Sequence, residues 1–409
     1  MATVVLLGTL DTKGEEYAFL RDRVVEAGCE VLMVNAGVLG DPRYQVDIDR
    51  GEVAAAAGAD LAEMVGKGDR GAAVTTMAEG AATVVERLHS EGCLDGILGM
   101  GGSGGSSIVA QAMRSLPFGV PKMLVSTLAS GDTSAFVGTA DIAMAHSVVD
   151  IAGINSLSVI VLANAAAAIA AMALSYEGRD PETSTRPVVG ATMYGTTTPC
   201  VDRARRWLED AGYEVVVFHA TGTGGQSMEA LMRGGHITAA LDVTTTELMD
   251  EIAGGTLTAG PDRLETAGSL GLPQVVSLGA VDLIAFTPPE AVPAAYLERN
   301  VYQHNPMVTL VRSNPEECRR LGEVMADKLG RATGPVTLFV PLRGTSSYAV
   351  EGGLFHDPAA DRALVESLRV HAGPSLEVVE LDTDINDPEF AIAMAQRLDE
   401  HYRTWVEAR

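Results

Sequence analysis

The chain has 409 residues, 47% of them hydrophobic and 20% charged, the balance of a globular protein of two or three domains. Its 54 acidic and 29 basic side chains leave a net charge of −25, which disfavours nucleic acid and anionic membranes as partners. Cys29, Cys93, Cys200 and Cys318 are widely spaced and form no CxxC pair, so each reads as a small buried residue rather than a metal ligand or disulfide partner. A strand begins almost at once with no basic segment before it, so no signal peptide is expected and a cytoplasmic location follows.

Thr3–Gly8 reads as a strand without polar alternation, as for a parallel strand buried on both faces. It runs into Thr9-Leu10-Asp11-Thr12-Lys13-Gly14. A helix over Glu15–Ala27, stopped by Gly28, and a strand over Glu30–Asn35 complete a βαβ unit of the doubly wound kind. Asp41–Asp60 reads as loop plus a short helix, and Gly71–Ser90 as a helix. Asp95–Leu98 reads as a short buried strand. It leads into Gly99-Met100-Gly101-Gly102-Ser103-Gly104-Gly105-Ser106-Ser107, and a helix opens at Ile108.

Strand, glycine turn and helix start make a cradle for an anion. Absent Cβ atoms let the backbone approach a phosphate, and the first N–H groups of the helix point at it. The turn has no following lysine and lacks the GxGxxG spacing, so it matches neither named nucleotide fingerprint. The competing reading is a tight turn that needs glycine only for packing.

Pro121–Thr127 reads as a further strand ending in Leu128-Ala129-Ser130-Gly131-Asp132-Thr133, and Asp141–His146 as a fifth. Three strand ends are therefore expected to converge on one crevice: Thr9, Asp11, Thr12 and Lys13; the glycine turn; and Ser130, Gly131, Asp132 and Thr133. Ile151–Tyr176 carries no charge and is long enough to span a bilayer. Its Asn155, Ser156, Ser158 and Asn164, and its alanine-rich second half, favour an interior or subunit-interface helix instead. Small residues there permit close helix approach, so a homodimer or higher homo-oligomer is expected.

The polar, proline-punctuated stretch Glu177–Pro187 reads as a linker between a nucleotide-binding domain, 1–180, and a second domain, 187–409. Past it the βα pattern restarts. Val188–Met193 is a strand, Val201–Ala211 a helix, Tyr213–Phe218 a strand, and a second glycine turn spans Gly222, Gly224, Gly225 and Ser227 before a helix from Met228. Strands are expected at Ala239–Val243, Gln274–Leu278, Thr337–Leu342 and Leu376–Leu381, and helices at Pro315–Leu329, Pro358–His371 and Asp387–Glu407. His304, before Asn305 and Pro306, reads either as a general acid–base group or as a structural histidine in a turn. Arg343, past a strand end, reads either as an anion-recognising residue or as one half of a salt bridge. A second anion site built from the second glycine turn, Arg312, Arg343 and Ser346 is expected, with His304 and Arg343 as candidate catalytic residues.

Gly8-Thr9-x-Asp11-Thr12-Lys13, Gly101-Gly102-Ser103-Gly104-Gly105, His304-Asn305-Pro306 and Pro341-x-Arg343-Gly344-x-Ser346, continuing to Phe355-x-Asp357-Pro358-x-x-Asp361, occur in this order. Together they resemble the family formed by the N-terminal ATP-binding domain of the tomato mosaic virus resistance protein and its uncharacterised bacterial relatives. The resemblance implies two Rossmann-like subdomains, ATP with a divalent cation in the first, and homodimerisation. It implies that Gly101, Gly102, Ser103, Gly104, Gly105, Ser106 and Ser107 wrap a triphosphate and that Lys13 neutralises it. Asp11 or Asp132 would hold magnesium, which favours one or two carboxylates beside phosphate oxygens. Lys13 reads equally as a solvated lysine, Asp11 as a helix cap and Asp132 as a cap of the turn before Thr133.

The expected fold is α/β, two Rossmann-like doubly wound domains with mainly parallel sheets and a cleft between them. The expected function is ATP binding, with a small acidic or phosphorylated metabolite in the cleft. The alternative is a non-catalytic, ATP-dependent binding or regulatory module. A nicotinamide enzyme is demoted, because its first strand should end in GxGxxG and this one ends in GTLDTK.

Overall fold

The first strand, β1 (Thr3–Gly8), sends Val5 and Leu7 to one side of its sheet and Val4 and Leu6 to the other, and both sides are buried. That period of two, apolar on both faces, is what a parallel sheet covered by helices requires. The fold is described from a computed structural model covering residues 1–42, 44–179 and 186–409. It comprises two units, Met1–Thr183 and Ser184–Arg409. The linker expected at Glu177–Pro187 falls largely on residues 180–185, outside the described residues.

In the N-terminal unit β1 is followed by α1 (Leu10–Glu26), β2 (Glu30–Asn35), α2 (Arg50–Ala56), α3 (Leu61–Lys67), α4 (Arg70–Ser90), β3 (Gly96–Gly101) and α5 (Ser103–Ser115). Then come β4 (Lys122–Ser126), α6 (Ser134–Val137), β5 (Ala143–His146) and α7 (Ser156–Glu177). The five strands are parallel in the order β2-β1-β3-β4-β5. Val5 and Leu7 meet Val84 of α4 and Val109 and Met113 of α5. Val4 and Leu6 meet Leu20 of α1 and Leu162 and Ile169 of α7. Full burial of each such side chain contributes about 1.5–3 kcal/mol.

The alanine-rich helix is thus a core helix on one face only. A capping box from Asn155 and Ser158 starts it. Its length and composition also meet the requirements of a membrane span. Its outer face leaves Leu157 55% and Ile160 59% exposed.

In the second unit the order is β6 (Val188–Met193), α8 (Thr198–Asp210), β7 (Glu214–His219), α9 (Thr223–Arg233), β8 (Ala239–Thr244), α10 (Thr246–Ala253), α11 (Thr266–Ser269) and β9 (Gln274–Gly279). It continues with β10 (Leu283–Phe286), β11 (Val301–Asn305), β12 (Val308–Arg312), α12 (Pro315–Gly330), β13 (Val336–Pro341), α13 (Pro358–His371), β14 (Glu377–Leu381) and α14 (Pro388–Glu407). Six strands form a parallel sheet, β14-β13-β9-β8-β6-β7. The chain is α/β with two mainly parallel sheets, as its sequence pattern indicates.

Several features differ from the sequence reading, which also did not anticipate α3 and α10. Both glycine turns lie largely inside helices: α5 starts at Ser103 rather than Ile108, and α9 at Thr223 rather than Met228. Glycine's low helix propensity hides such starts. The segment Thr9–Lys13 likewise belongs to α1, which is kinked at Lys13. Finally, β10, β12 and β11 form an antiparallel sheet. Val301–Asn305 is polar and mostly exposed, so it carries no apolar run to announce a strand.

Candidate functional site: a glycine-lined pocket at the sheet's switch point

In the N-terminal sheet the chain leaves β1 for β2 on one side and returns to β3 on the other. Crevices outside the carboxyl ends of strands at such a reversal are where open parallel sheets bind ligands. Here β1 and β3 pair only from Val4–Gly96 to Leu7–Gly99. Past that point Tyr17 is wedged between them: its hydroxyl donates to Leu7 O at 2.6 Å and accepts from Met100 N at 2.9 Å. A Cβ on Gly8 would stand 1.9 Å from that oxygen, so glycine is required there.

The pocket that opens beyond has a volume of about 560 Å³. It brings together Thr9, Asp11, Thr12 and Lys13 from the end of β1 with Gly101, Gly102, Ser103, Gly104 and Gly105 from the end of β3. Val38, Leu39, Met64, Val74, Met77 and Ile108 supply apolar wall.

Two observations set the α5 start apart. First, α2, α3, α4 and α7 are capped by the side chains of Asp49, Asp60, Asp69 and Asn155, whereas α1, α5 and the four-residue α6 have no side-chain cap. Asn35 Oδ1 serves Leu10 N of α1 at 3.1 Å. At α5 the cap residue is Gly102, whose backbone is extended. Second, the glycines divide by cause. A Cβ at Gly101 would stand 2.8 Å from Gly105 Cα, so packing demands that glycine. A Cβ at Gly102 or Gly104 meets nothing nearer than 3.8 or 3.9 Å. No close neighbour in the protein explains those two, and Gly104, inside the helix, costs about 1 kcal/mol relative to alanine there.

Arg70, at the start of α4, was not indicated by the sequence. Its Nη2 lies 3.9 Å from where a Gly104 Cβ would be, and it makes no hydrogen bond or ion pair among the described residues. Only the Gly68-Asp69 turn before it signals its place. Asp150 also lines the pocket and was likewise missed.

Several expected residues have other employment. Lys13 Nζ donates to Ile151 O. Asp11 Oδ2 accepts from Leu39 N at 2.7 Å, while its Oδ1 is buried without a partner. Asp11 therefore ties down the loop after β2 rather than capping α1. Ser106 is buried against Ser126 at 2.8 Å, and Ser107 bonds Ser103 O one turn back; neither lines the pocket. Ser130, Gly131, Asp132 and Thr133 lie outside it too, because the chain after β4 turns into α6. Asp132 Oδ1 accepts from Ser134 N, which holds its carboxyl below the usual range. It is a turn cap, not a partner of Asp11. Among the described residues no three His, Cys, Asp or Glu side chains are grouped as for a metal ion.

The expected second anion site does not assemble as one site. The α9 glycine turn does attract an anion, but the anion is internal. Gly222 N and Gly225 N both donate to Glu247 Oε1, at 2.7 and 3.1 Å. Arg263, 2% exposed, bonds Glu247 Oε2 at 2.7 Å and clamps Asp242 through two bonds of 2.6 and 2.7 Å. Burial raises the Glu247 carboxyl despite that arginine. Gly224 is fixed by packing, since its Cβ would stand 1.7 Å from His219 O, and Ser227 is half-buried on α9. Arg312 and Ser346 converge on another acid: Ser346 Oγ donates to Asp282 Oδ2 at 2.8 Å, and Arg312 Nη1 reaches Asp282 O at 3.3 Å. Arg343 is a solvent-facing partner of Asp382, 66% exposed. His304 sits on the exposed strand β11, with Nδ1 3.3 Å from Tyr348 Oη.

The sequence matches the Uncharacterised protein family (UPF0261) N-terminal domain over residues 2–178 and the UPF0261 C-terminal domain over residues 186–402. The chain belongs to the UPF0261 family. It is 47% identical to a UPF0261 protein of Clostridium tetani over 97% of this chain and 98% of that one. It is 36% identical to the ToMV susceptible protein tm-1(GCR26) of Solanum lycopersicum, over 96% of this chain and 54% of the tomato protein. Among solved structures, a Streptomyces glycosyltransferase, SsfS6, complexed with thymidine diphosphate, aligns over 98% of this chain and 96% of its own at 13% identity and a TM-score of 0.20. That likeness is too loose to bear on function.

Proposed function

We propose that the N-terminal unit of this UPF0261 protein binds a nucleotide, ATP, with magnesium, in the pocket between the ends of β1 and β3. The observation that carries the reading is the α5 start: a helix N-terminus with no side-chain cap and two glycines, Gly102 and Gly104, that no contact within the protein requires. Uncapped N–H groups with the helix dipole behind them favour phosphate, and glycine lets it come close. Arg70, which has no hydrogen bond or ion pair among the described residues, stands beside that turn, its Nη2 3.9 Å from where a Gly104 Cβ would be. The apolar wall of Met64, Met77 and their neighbours suits a base or other flat apolar body. In a chain of net charge −25, this local donor set offsets the repulsion an anion would otherwise meet.

The residues fit magnesium held mainly by phosphate oxygens. Asp11 has one carboxylate oxygen without a partner, and Asp150 stands in the same lining. A bound magnesium would neutralise phosphate charge. Asp11 and Lys13 position the walls by holding Leu39 N and Ile151 O.

Gly102→Ala and Gly104→Ala test the reading. A Cβ fits at both positions in the free protein, so both variants should fold; Gly104→Ala, within the helix, should melt no earlier than the parent, and Gly102→Ala, at the cap, only slightly earlier. Each should lose calorimetrically measured ATP–magnesium binding by tenfold or more. Parent-like binding by both variants would refute the assignment.

A further inference from the structure

The second unit holds a pocket of about 710 Å³ outside the carboxyl ends of β9 and β13, bounded by Leu278 and Pro341. One wall is a single face of α13, with Pro358, Asp361, Arg362, Val365, Glu366 and Arg369 at helical spacing. The other wall is the chain through Arg343, Gly344 and Thr345. Gly344 has φ +139°, which side chains rarely adopt, and a Cβ there would crowd Val350 N at 3.0 Å.

Beneath the pocket lies a buried polar relay. Asp282, 1% exposed, accepts from Thr345 Oγ1 at 2.9 Å and from Ser346 Oγ at 2.8 Å. Arg312, buried beside it, donates to Phe355 O at 2.7 Å, to Ser313 Oγ at 2.7 Å and to Asp361 Oδ1 at 2.6 Å. Burying such charges costs desolvation that apolar residues of equal volume would avoid. Here the outlay fixes one group at the pocket: Asp361. One of its oxygens is held by Arg312, the other makes no hydrogen bond among the described residues, and the side chain is 27% exposed. Burial pushes its carboxyl up to about 6. One residue along the same helix, Arg362 is exposed and without a hydrogen bond or ion pair among the described residues. Arg343 and Arg369 line the same pocket with their acid partners, Asp382 and Glu380, outside it.

We infer that this pocket is a second ligand site, independent of the nucleotide reading, for a small hydroxylated anion. Arg362 takes the ligand's carboxylate or phosphate, and the free oxygen of Asp361 accepts from its hydroxyl. A fixed acceptor beside a free guanidinium selects molecules that carry both groups a few bonds apart. An anion lacking the hydroxyl leaves Asp361 desolvated and unpaired, so it binds less well.

Thermal shift on the full chain tests this with malate and 3-phosphoglycerate as probes. Succinate serves as the control lacking the hydroxyl, and sulfate at equal ionic strength controls for general salt effects. At a hundredfold excess over Kd, mass action predicts a rise of about 5–10 °C in the responding transition. Malate or 3-phosphoglycerate should produce it, and succinate and sulfate should not. Arg362→Gln, at an exposed unpaired position, should melt like the parent and lose the response, and Arg362→Lys should restore part of it. The inference fails if neither hydroxylated anion outperforms the controls. It also fails if Arg362→Gln responds like the parent. ATP binding should be unchanged in both variants, so a failed nucleotide reading would show separately.

Discussion

Replacing Arg263 with methionine removes the central, buried cation of a sealed cluster, leaving only Arg233, 57% exposed, to reach one of its acids, Glu229, at 3.8 Å. The Arg263 guanidinium is 1% exposed and faces Asp242, Glu247 and, at 3.5 Å, Glu229. Each of those carboxylates is 7% exposed or less. Without Arg263 three negative groups share a dry site, and neither the α9 amides nor the Thr192 hydroxyl on Asp242 offsets that. Breaking a buried pair this way costs about 3–5 kcal/mol. For a unit of this size each kcal/mol lowers the melting temperature by about 2–4 °C, so the loss should be roughly 6–20 °C. Calorimetry should find it in one transition. The deficit should shrink at pH 5, where protonation relieves the unpaired carboxylates. A drop under about 3 °C at pH 7 would refute the reasoning, and so would a deficit that grows on acidification.

The pH dependence of the parent follows from two other acids. Burial raises Asp250 from 3.8 to about 7, and Asp361 to about 6. A carboxyl raised on folding binds more protons in the native state, so its contribution is complete below the unfolded value and is lost as pH rises through the folded one. Stability should therefore increase by about 1–2 kcal/mol between pH 8 and pH 6; Asp250→Asn should flatten most of that slope in urea titrations, and a parent that is less stable at pH 6 contradicts it. The outer face of α7 carries Leu157 and Ile160 at 55% and 59% exposure and no charge between Ser156 and Tyr176. A homodimer through this face predicts that Ile160→Lys shifts the protein to monomer mass in light scattering, and a parent already at 42.7 kDa at micromolar concentration would dispose of it.

The parallel strands were legible because they are buried on both faces. Thr3–Gly8, Glu30–Asn35 and Val188–Met193 are apolar runs that only a helix-covered parallel sheet can bury, and they fall at those bounds. Helix starts were less legible where glycine precedes them, and β11 escaped because an exposed edge strand has no apolar pattern to show. The site was half visible. The turns at Thr9–Lys13 and Gly101–Gly105 could be named from local chemistry, and the strand order joins them. Arg70 and Asp150 could not, since nothing in their own neighbourhood says which loops the sheet brings together.

The two glycine turns show why the rest was hidden. Both have strand, glycines and helix start in the same order, and the physics of an anion-seeking N-terminus applies equally to both. At α9 the anion is Glu247, more than twenty positions along the chain and locked by Arg263. At α5 no side chain of the described residues reaches the helix N-terminus as a cap. Local sequence identifies a turn that wants a negative group. Whether the fold supplies that group or leaves the place for a ligand depends on where a distant carboxylate lands. A turn whose glycines answer to packing and whose amides already hold an acid belongs to the fold. One that keeps glycines, here Gly102 and Gly104, which no packing contact within the protein requires is the better candidate for a ligand.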